Sequence, residues 1–419
     1  MNEDLAQRAP ITGRTRRVVF VNRYFSPDLS ATSQILSDLA FHIAARGHDV
    51  HVVCGDTLYA GKNVRLPGEE SIGGVSVHRV SGGRFGRAGL AGRAADYAGI
   101  YASMRSQVAA LLREGDILIV KTDPPLLTVP LAGVARRGGA VFVPWLQDLY
   151  PEVAAVLGVP LTAGPAGRLL TLLRDRSLRH AECVVAIGAR MRDRLIARGL
   201  DPQRIHVIAN WADDTQIFPV APEINELRAH WGLAGKFVVG YSGNLGRAHE
   251  YATLLSAAER MRHRGDVVFL FIGGGHQTEQ LKSEARARRI DHLFQFRAYQ
   301  DRTQLAHSLS APDAHWLSLR PELEGLIVPS KFYGVAAAGR PIINVGATSG
   351  EVAELVAQHG CGVTVSPGDG AALAAVIERM IQSPANAKAM GERGRRMLVE
   401  HYSRTRAMAR WDSLLDTLR

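Results

Sequence analysis

Short apolar runs of the kind that become buried strands recur along this chain, and a helical pattern follows most of them. The first run is Val18-Val19-Phe20-Val21. A loop, Asn22–Ser33, leads to the helix-like Gln34–Arg46, which Gly47-His48-Asp49 stops before the next run, Val50–Cys54. A strand, a helix and a strand with so short a return specify a parallel, doubly wound sheet. Further strands are expected at Val75–Val80, Ile117–Val120, Ala140–Trp145, Cys183–Ile187 and Ile205–Ile208, with a long helix over Gly92–Arg113. A second series follows the turn-rich Trp211–Glu226. Its strands are expected at Phe237–Tyr241, Val267–Ile272, Leu293–Phe296, Ala314–Leu319, Ile342–Val345 and Val363–Val365. Two series of similar length predict an α/β protein of two Rossmann-like domains facing each other across a cleft. The expected division is a disordered lead at 1–16, an N-terminal domain at 17–210, a C-terminal domain at 211–402 and a last helix at 403–419. Met408, Trp411, Leu414, Leu415 and Leu418 give that last segment its helical spacing.

At 419 residues the chain is too long for one ordinary core and suits two domains of about 200 residues each. The formal charge is +10 and lies mostly in the first half. Residues 1–210 carry 26 Lys and Arg against 18 Asp and Glu, whereas the rest carry 24 against 22. Such a surplus suits an anionic partner: a phosphate-bearing substrate, an anionic membrane surface or nucleic acid. No zinc-finger spacing, RNA-binding aromatic signature or helix-turn-helix supports nucleic acid, so no nucleic-acid partner is expected. Cys54, Cys183 and Cys361 are far apart in apolar surroundings and fit core positions in a reducing compartment. The opening residues lack a signal peptide's apolar core, and no stretch reaches the roughly 20 apolar residues of a membrane span. A cytoplasmic protein is expected.

Functional residues of open parallel sheets sit on the loops that follow strands. Pro321–Pro341 reads PELEGLIVPSKFYGVAAAGRP: a polar mouth after a strand, then an Ala-rich helical pattern ended by Gly339 and Pro341. A loop entering a helix presents free N–H groups and partial positive charge, so with Lys331 it makes a seat for a phosphate. An ordinary joint with a solvated Lys reads the same. Gly240-Tyr241-Ser242-Gly243-Asn244-Leu245-Gly246-Arg247 opens the second series with glycines that let the backbone approach a diphosphate, and Arg247 adds charge. Asp148, in Gln147-Asp148-Leu149-Tyr150-Pro151-Glu152, is either a site residue at a strand end or the cap of the next helix. No Asp-x-Asp pair is present to hold a metal.

Glu324–Pro341 resembles the donor loop of the retaining glycosyltransferases of family 4, which have the two-domain GT-B fold. The likeness is to the subgroup that builds colanic-acid and O-antigen type surface polysaccharides. Trp145–Glu152 resembles the family's "HDLWPE" run, with Gln147 in place of the His. The resemblance implies a nucleotide-diphosphate sugar as donor substrate, no cofactor and no metal. It implies catalytic roles for Asp148, Glu324 and Lys331. Donor contacts are implied for Gly243, Asn244, Gly246, Arg247, Arg297, Gly325, Leu326, Ile327, Val328 and Ser330. Ser30, Ala31, Thr32 and Gln147 would face the acceptor. The family's second Glu, which holds the ribose, falls at Gly334 here. The last helix would cross back onto the first domain, as it commonly does in this fold.

The same resemblance points to a lipid-linked saccharide acceptor. Eight arginines lie between Arg168 and Arg198, with leucines interleaved. Arg174, Arg176 and Arg179 are expected on one cationic face of a helix, either binding an anionic membrane surface or simply solvated. The expectation is thus a transferase peripheral on the inner face of the cell membrane. A nucleotide-sugar 2-epimerase of the same fold, or a non-catalytic partner of another glycosyltransferase, are the alternatives.

Overall fold

The computed structural model describes residues 16–59, 65–82, 89–160 and 162–418. Except for Arg16, the lead read as disordered lies outside the described residues. The first sheet holds β1 (Arg17–Val21), β2 (Asp49–Gly55), β3 (Glu69–Ile72), β4 (Val75–Val80), β5 (Ile117–Lys121), β6 (Val141–Leu146), β7 (Val184–Ala186) and β8 (Ile205–Val207). Its order is β3-β4-β2-β1-β5-β6-β7-β8, parallel throughout except for β3 against β4. The second sheet holds β9 (Phe237–Asn244), β10 (Val267–Gly274), β11 (Phe294–Arg297), β12 (Ala314–Ser318), β13 (Ile342–Val345) and β14 (Gly362–Val365). It is wholly parallel in the order β11-β10-β9-β12-β13-β14. Two facing parallel-sheet α/β domains are what the two apolar series predict.

Parallel strands covered on both faces must be apolar on both. Val18 to Val21 and Ile117 to Val120 are accordingly almost wholly buried, with Phe20 in register with Val52 and Ile119. Each such side chain contributes about 1.5–3 kcal/mol by leaving water. One strand escaped the sequence reading. Glu69-Glu70-Ser71-Ile72 is a half-exposed edge strand that turns back onto β4 through Gly73 and Gly74, at φ +58° and +81°. It has no buried apolar run to announce it. The first helix also begins three residues earlier than its apolar pattern, at Ala31 rather than Gln34, because Ser33 is buried beside the apolar side chains.

Strand order reverses beside β1 and beside β9, so the loops after β1, β5, β9 and β12 open on the crevice of their sheets. Leu319, Leu323, Leu326 and Val328, from the loop after β12, are buried in the apolar core of the first sheet. The helix Arg404–Thr417 puts Met408, Trp411, Leu414 and Leu415 into that same core. Asp412 binds His42 at 3.0 Å and also pairs with Arg46, while Arg16 donates to the Leu415 carbonyl at 2.7 Å. No described helix is long and apolar enough to cross a membrane.

Candidate active site

Lys331 opens the helix Lys331–Ala337, as the loop pattern predicts, and its ammonium lies 5.3 Å from the centre of the Tyr241 ring. The side chain runs across Gly243, where a β-carbon would stand 2.8 Å from Lys331 Cε. Gly243 also has φ +121°, so any other residue here is strained and must push the Lys331 stem aside. Burial pulls the Lys331 pKa down to about 8. His249 lies on the same Tyr241 ring and donates from Nδ1 to the Ser318 carbonyl at 2.7 Å. Burial and the Lys331 charge hold it down to about 3, leaving the ring neutral. Gly273 and Gly275 are packed against the β9 loop. β-Carbons there would stand 2.5 Å from the Gly243 carbonyl and 2.4 Å from the Leu245 nitrogen, so these glycines let two loops pack together. Asn244 and Arg247 are exposed, Gly246 is half-buried, and Arg297 donates to Gln295 at 3.0 Å.

Across the crevice, Lys121 at the end of β5 is fully buried, 4.2 Å from the Trp145 ring centre, and donates to the Thr32 carbonyl at 2.9 Å. Burial pulls it down to about 7, against the opposing charges of Asp123 and Asp148. Burial, reinforced by Asp123, pushes Asp148 up to about 7, and Asp123 rises to about 6. One cation thus sits among two carboxyls that are costly to ionise. Lys121 is not among the site residues expected from the sequence. The available signal was a cation ending the all-apolar run Ile117–Val120, an expensive place for a solvated role. Gln147 has a buried Nε2 without a hydrogen-bond partner, and its N–H donates to Thr122 Oγ1 at 3.2 Å. Ser30 has a buried hydroxyl without a partner, and Ala31 and Thr32 form the first turn of their helix.

The loop after β12 joins the two sides. Asp148 and Ile327 form an isolated antiparallel bridge, and Leu149 donates to the Leu326 carbonyl at 2.9 Å. Leu326 and Val328 therefore spend their side chains on the first domain's core. Gly325, at φ +71°, lets Arg194 come close: a β-carbon would stand 2.7 Å from Arg194 Nε, which donates to the Glu324 carbonyl at 2.8 Å. Burial raises the pKa of Glu324, whose Oε1 accepts from the Glu351 N–H at 2.7 Å. Ser330 is half-buried beside Lys331, and Gly334 lies against Leu309, a β-carbon there standing 3.5 Å from its methyl. Among the described residues, no group of three or more His, Cys, Asp or Glu is placed to hold a metal ion.

The helix Gly164–Arg179 corrects the expected cationic face. Arg174 is buried, pairing with Glu152 and Asp175, each at 2.7 Å, because its position on the helix points inward. The outward face carries Arg168, Arg176 and Arg179 around Leu169, Leu172 and Leu173, whose exposures are 57%, 58% and 40%.

Two facing parallel-sheet domains, with a lysine and glycine-lined loops at their crevice, form the GT-B architecture of a glycosyltransferase. Residues 31–211 match the glycosyl transferase 4-like domain, and residues 223–397 match the glycosyl transferases group 1 domain. The probable glycosyltransferase WbjE of Pseudomonas aeruginosa is 31% identical over 298 residues, 70% of this chain and 72% of that one. The putative colanic acid biosynthesis glycosyl transferase WcaI of Escherichia coli is 25% identical over 375 residues, 86% of this chain and 91% of that one. Anabaena HepE, solved with UDP and glucose, superposes with a TM-score of 0.72 at 18% identity, covering 96% of this chain and 100% of that one. The chain belongs to the family 4 glycosyltransferases of the GT-B fold, and it is a transferase enzyme.

Proposed function

We propose that the enzyme is a retaining glycosyltransferase that moves a sugar from a nucleotide-diphosphate donor to a lipid-linked saccharide during assembly of a bacterial surface polysaccharide. The observation that carries the reading is Lys331, drawn across Gly243 at the mouth of the β9 loop. Cleaving the sugar–phosphate bond builds negative charge on the departing phosphate and positive charge on the sugar carbon. A preorganised ammonium and backbone N–H groups stabilise the departing charge in place of a metal. The donor phosphates, once seated, would stabilise the Lys331 charge that burial disfavours. Glu324 would hold sugar hydroxyls. Asp148, with Gln147 and the Ser30–Thr32 turn, would orient the acceptor. The departing phosphate would take the acceptor proton, as the family resemblance implies.

The donor class has support from HepE, which was solved with UDP and glucose, and the polysaccharide role from the printed names of WbjE and WcaI. The lipid-linked acceptor and a peripheral place on the membrane draw support from the leucine face rimmed by Arg168, Arg176 and Arg179. A groove of about 450 Å³ beside it is lined by Glu152, Thr162, Arg168, Leu172 and Arg198, among others.

The test incubates purified enzyme with UDP-glucose, UDP-N-acetylglucosamine or GDP-mannose, with and without a polyprenyl-diphosphate sugar. Acceptor-dependent transfer with retained anomeric configuration is expected. Interconversion of the nucleotide-sugar alone would indicate an epimerase, and inertness with every donor a binding partner.

A further inference from the structure

Glu351 begins the helix Glu351–His359 in the second domain, yet its carboxylate is bound by the first. Oε1 accepts from the Ala189 N–H at 3.0 Å and Oε2 from the Arg190 N–H at 2.8 Å, capping the helix Ala189–Ala197. That helix has no cap of its own, since Gly188 precedes it, and an acceptor at its positive end is favourable. The backbone of Glu351 acts separately, its N–H holding Glu324 Oε1 at 2.7 Å. One residue therefore fastens the first domain through its side chain and Glu324 through its main chain.

Two glycines bear this out independently. Gly188 and Gly350 are buried and have extended φ values of −162° and −79°, which any residue adopts. Neither is a glycine for conformational reasons. A β-carbon at Gly188 would stand 2.9 Å from the Glu351 carboxylate, and one at Gly350 would stand 2.5 Å from Glu324 Oε2. Each glycine leaves the space that one of the two carboxylates fills. Arg194, donating to the Glu324 carbonyl, and Arg190, paired with Glu354, fasten the same seam.

We propose that Glu351 is the positioning residue for Glu324, setting that carboxylate in place only when the two domains are docked through the Ala189–Ala197 helix. This rests on the proposed action of Glu324 on the donor sugar. Domain docking and the placing of Glu324 then become one event.

The experiment compares Glu351→Ala, Glu324→Ala and the double variant in the full chain. Initial rates are measured with whichever of UDP-glucose, UDP-N-acetylglucosamine and GDP-mannose is turned over. Amide hydrogen exchange is followed at Ala189 and Arg190. Glu351→Ala should lower kcat about tenfold or more, the scale of coupling between residues in contact. KM for the donor should change far less. The double variant should be no slower than Glu324→Ala alone, because Glu351 acts through it. Ala189 and Arg190 should exchange faster in Glu351→Ala. Gly188→Ala, which keeps both carboxylates but displaces one, should reproduce the kcat loss with circular dichroism unchanged. Unchanged kcat in Glu351→Ala, losses that multiply in the double variant, or unaltered exchange would each overturn the proposal. Full activity in Glu324→Ala would instead remove the assigned role of Glu324, while the exchange data would still decide whether Glu351 caps the helix.

Discussion

Trp411 meets Trp145 edge to face, with ring centroids 4.7 Å apart, and the same Trp145 ring holds the Lys121 ammonium 4.2 Å from its centre. The last helix is thus a wall of the site's floor as well as a strap. Trp211, stacked on Trp145 at 6.1 Å, closes the cluster from the connection between the domains. Trp411→Ala should destabilise the protein by about 3–5 kcal/mol, as expected for emptying a fully buried indole site. Urea unfolding followed by tryptophan fluorescence measures this. An unchanged midpoint would mean that the helix adds nothing to the first domain.

Lys331→Ala should lower kcat by about 100-fold or more, since loss of one preorganised charge partner costs ~3 kcal/mol in the transition state. Gly243→Ala should act in the same direction by displacing the Lys331 stem. The check is steady-state kinetics with the donor that is turned over. Near-normal kcat in Lys331→Ala would assign the leaving-group charge elsewhere.

The pH dependence of stability separates Asp148 from Lys121. Asp148 is held protonated up to about 7 instead of 3.8, so between those values the folded chain keeps a proton that the unfolded chain has lost. Stability from this group is present at low pH and is lost as pH rises through about 7. Lys121, at about 7 instead of 10.5, works the other way, and stability rises as pH climbs from 7 towards 10.5. Asp148→Asn removes the first contribution and, by taking away an opposing charge, lowers Lys121 further, which acts in the same direction. Its Tm relative to the parent should therefore rise between pH 5 and pH 8, by about 2–4 °C for a discounted ~1 kcal/mol. Differential scanning fluorimetry across that range tests it. A difference that stays flat or falls would show that Asp148 ionises freely.

On the proposed reading, in which Lys331 beside the Tyr241 ring supplies the cation for the departing phosphate, activity should persist in EDTA. Strict dependence on added magnesium or manganese would overturn this.

The sequence announced what burial dictates. Runs such as Val18–Val21 and Ile342–Ile343 have no stable place outside a covered sheet, so the two α/β series were legible without any motif. Glu69–Ile72 was not, because an edge strand gains its hydrogen bonds without losing its charges. Lys331 was legible from its place before a helix. Lys121 and Glu351 were not, for a different reason. Their roles are set by partners 89 and 162 residues away, at Thr32 and Ala189, and no local pattern encodes such a meeting. Arg174 shows the same limit from the other side. An arginine among leucines reads as surface until Glu152 and Asp175 are seen to take it inward.

The corrected helix face sets the terms of a membrane-binding experiment. Leu169, Leu172 and Leu173 supply exposed apolar area, and Arg168, Arg176 and Arg179 surround it. Each basic residue near an anionic bilayer contributes about 1 kcal/mol, decaying within a Debye length, so reversible, salt-sensitive attachment is the outcome expected of three together. The enzyme should sediment with vesicles containing phosphatidylglycerol and far less with pure phosphatidylcholine, and the difference should shrink as salt rises. Arg168→Glu/Arg176→Glu/Arg179→Glu should abolish the preference. Arg174 must be left intact, because removing it would leave the buried Asp175 with Arg198 alone and Glu152 without its arginine, confusing lost binding with lost folding. Leu172→Ser should weaken binding to anionic vesicles without changing its salt dependence, since it removes area and not charge. Equal sedimentation with both lipids, or none with either, would leave this face as solvated surface.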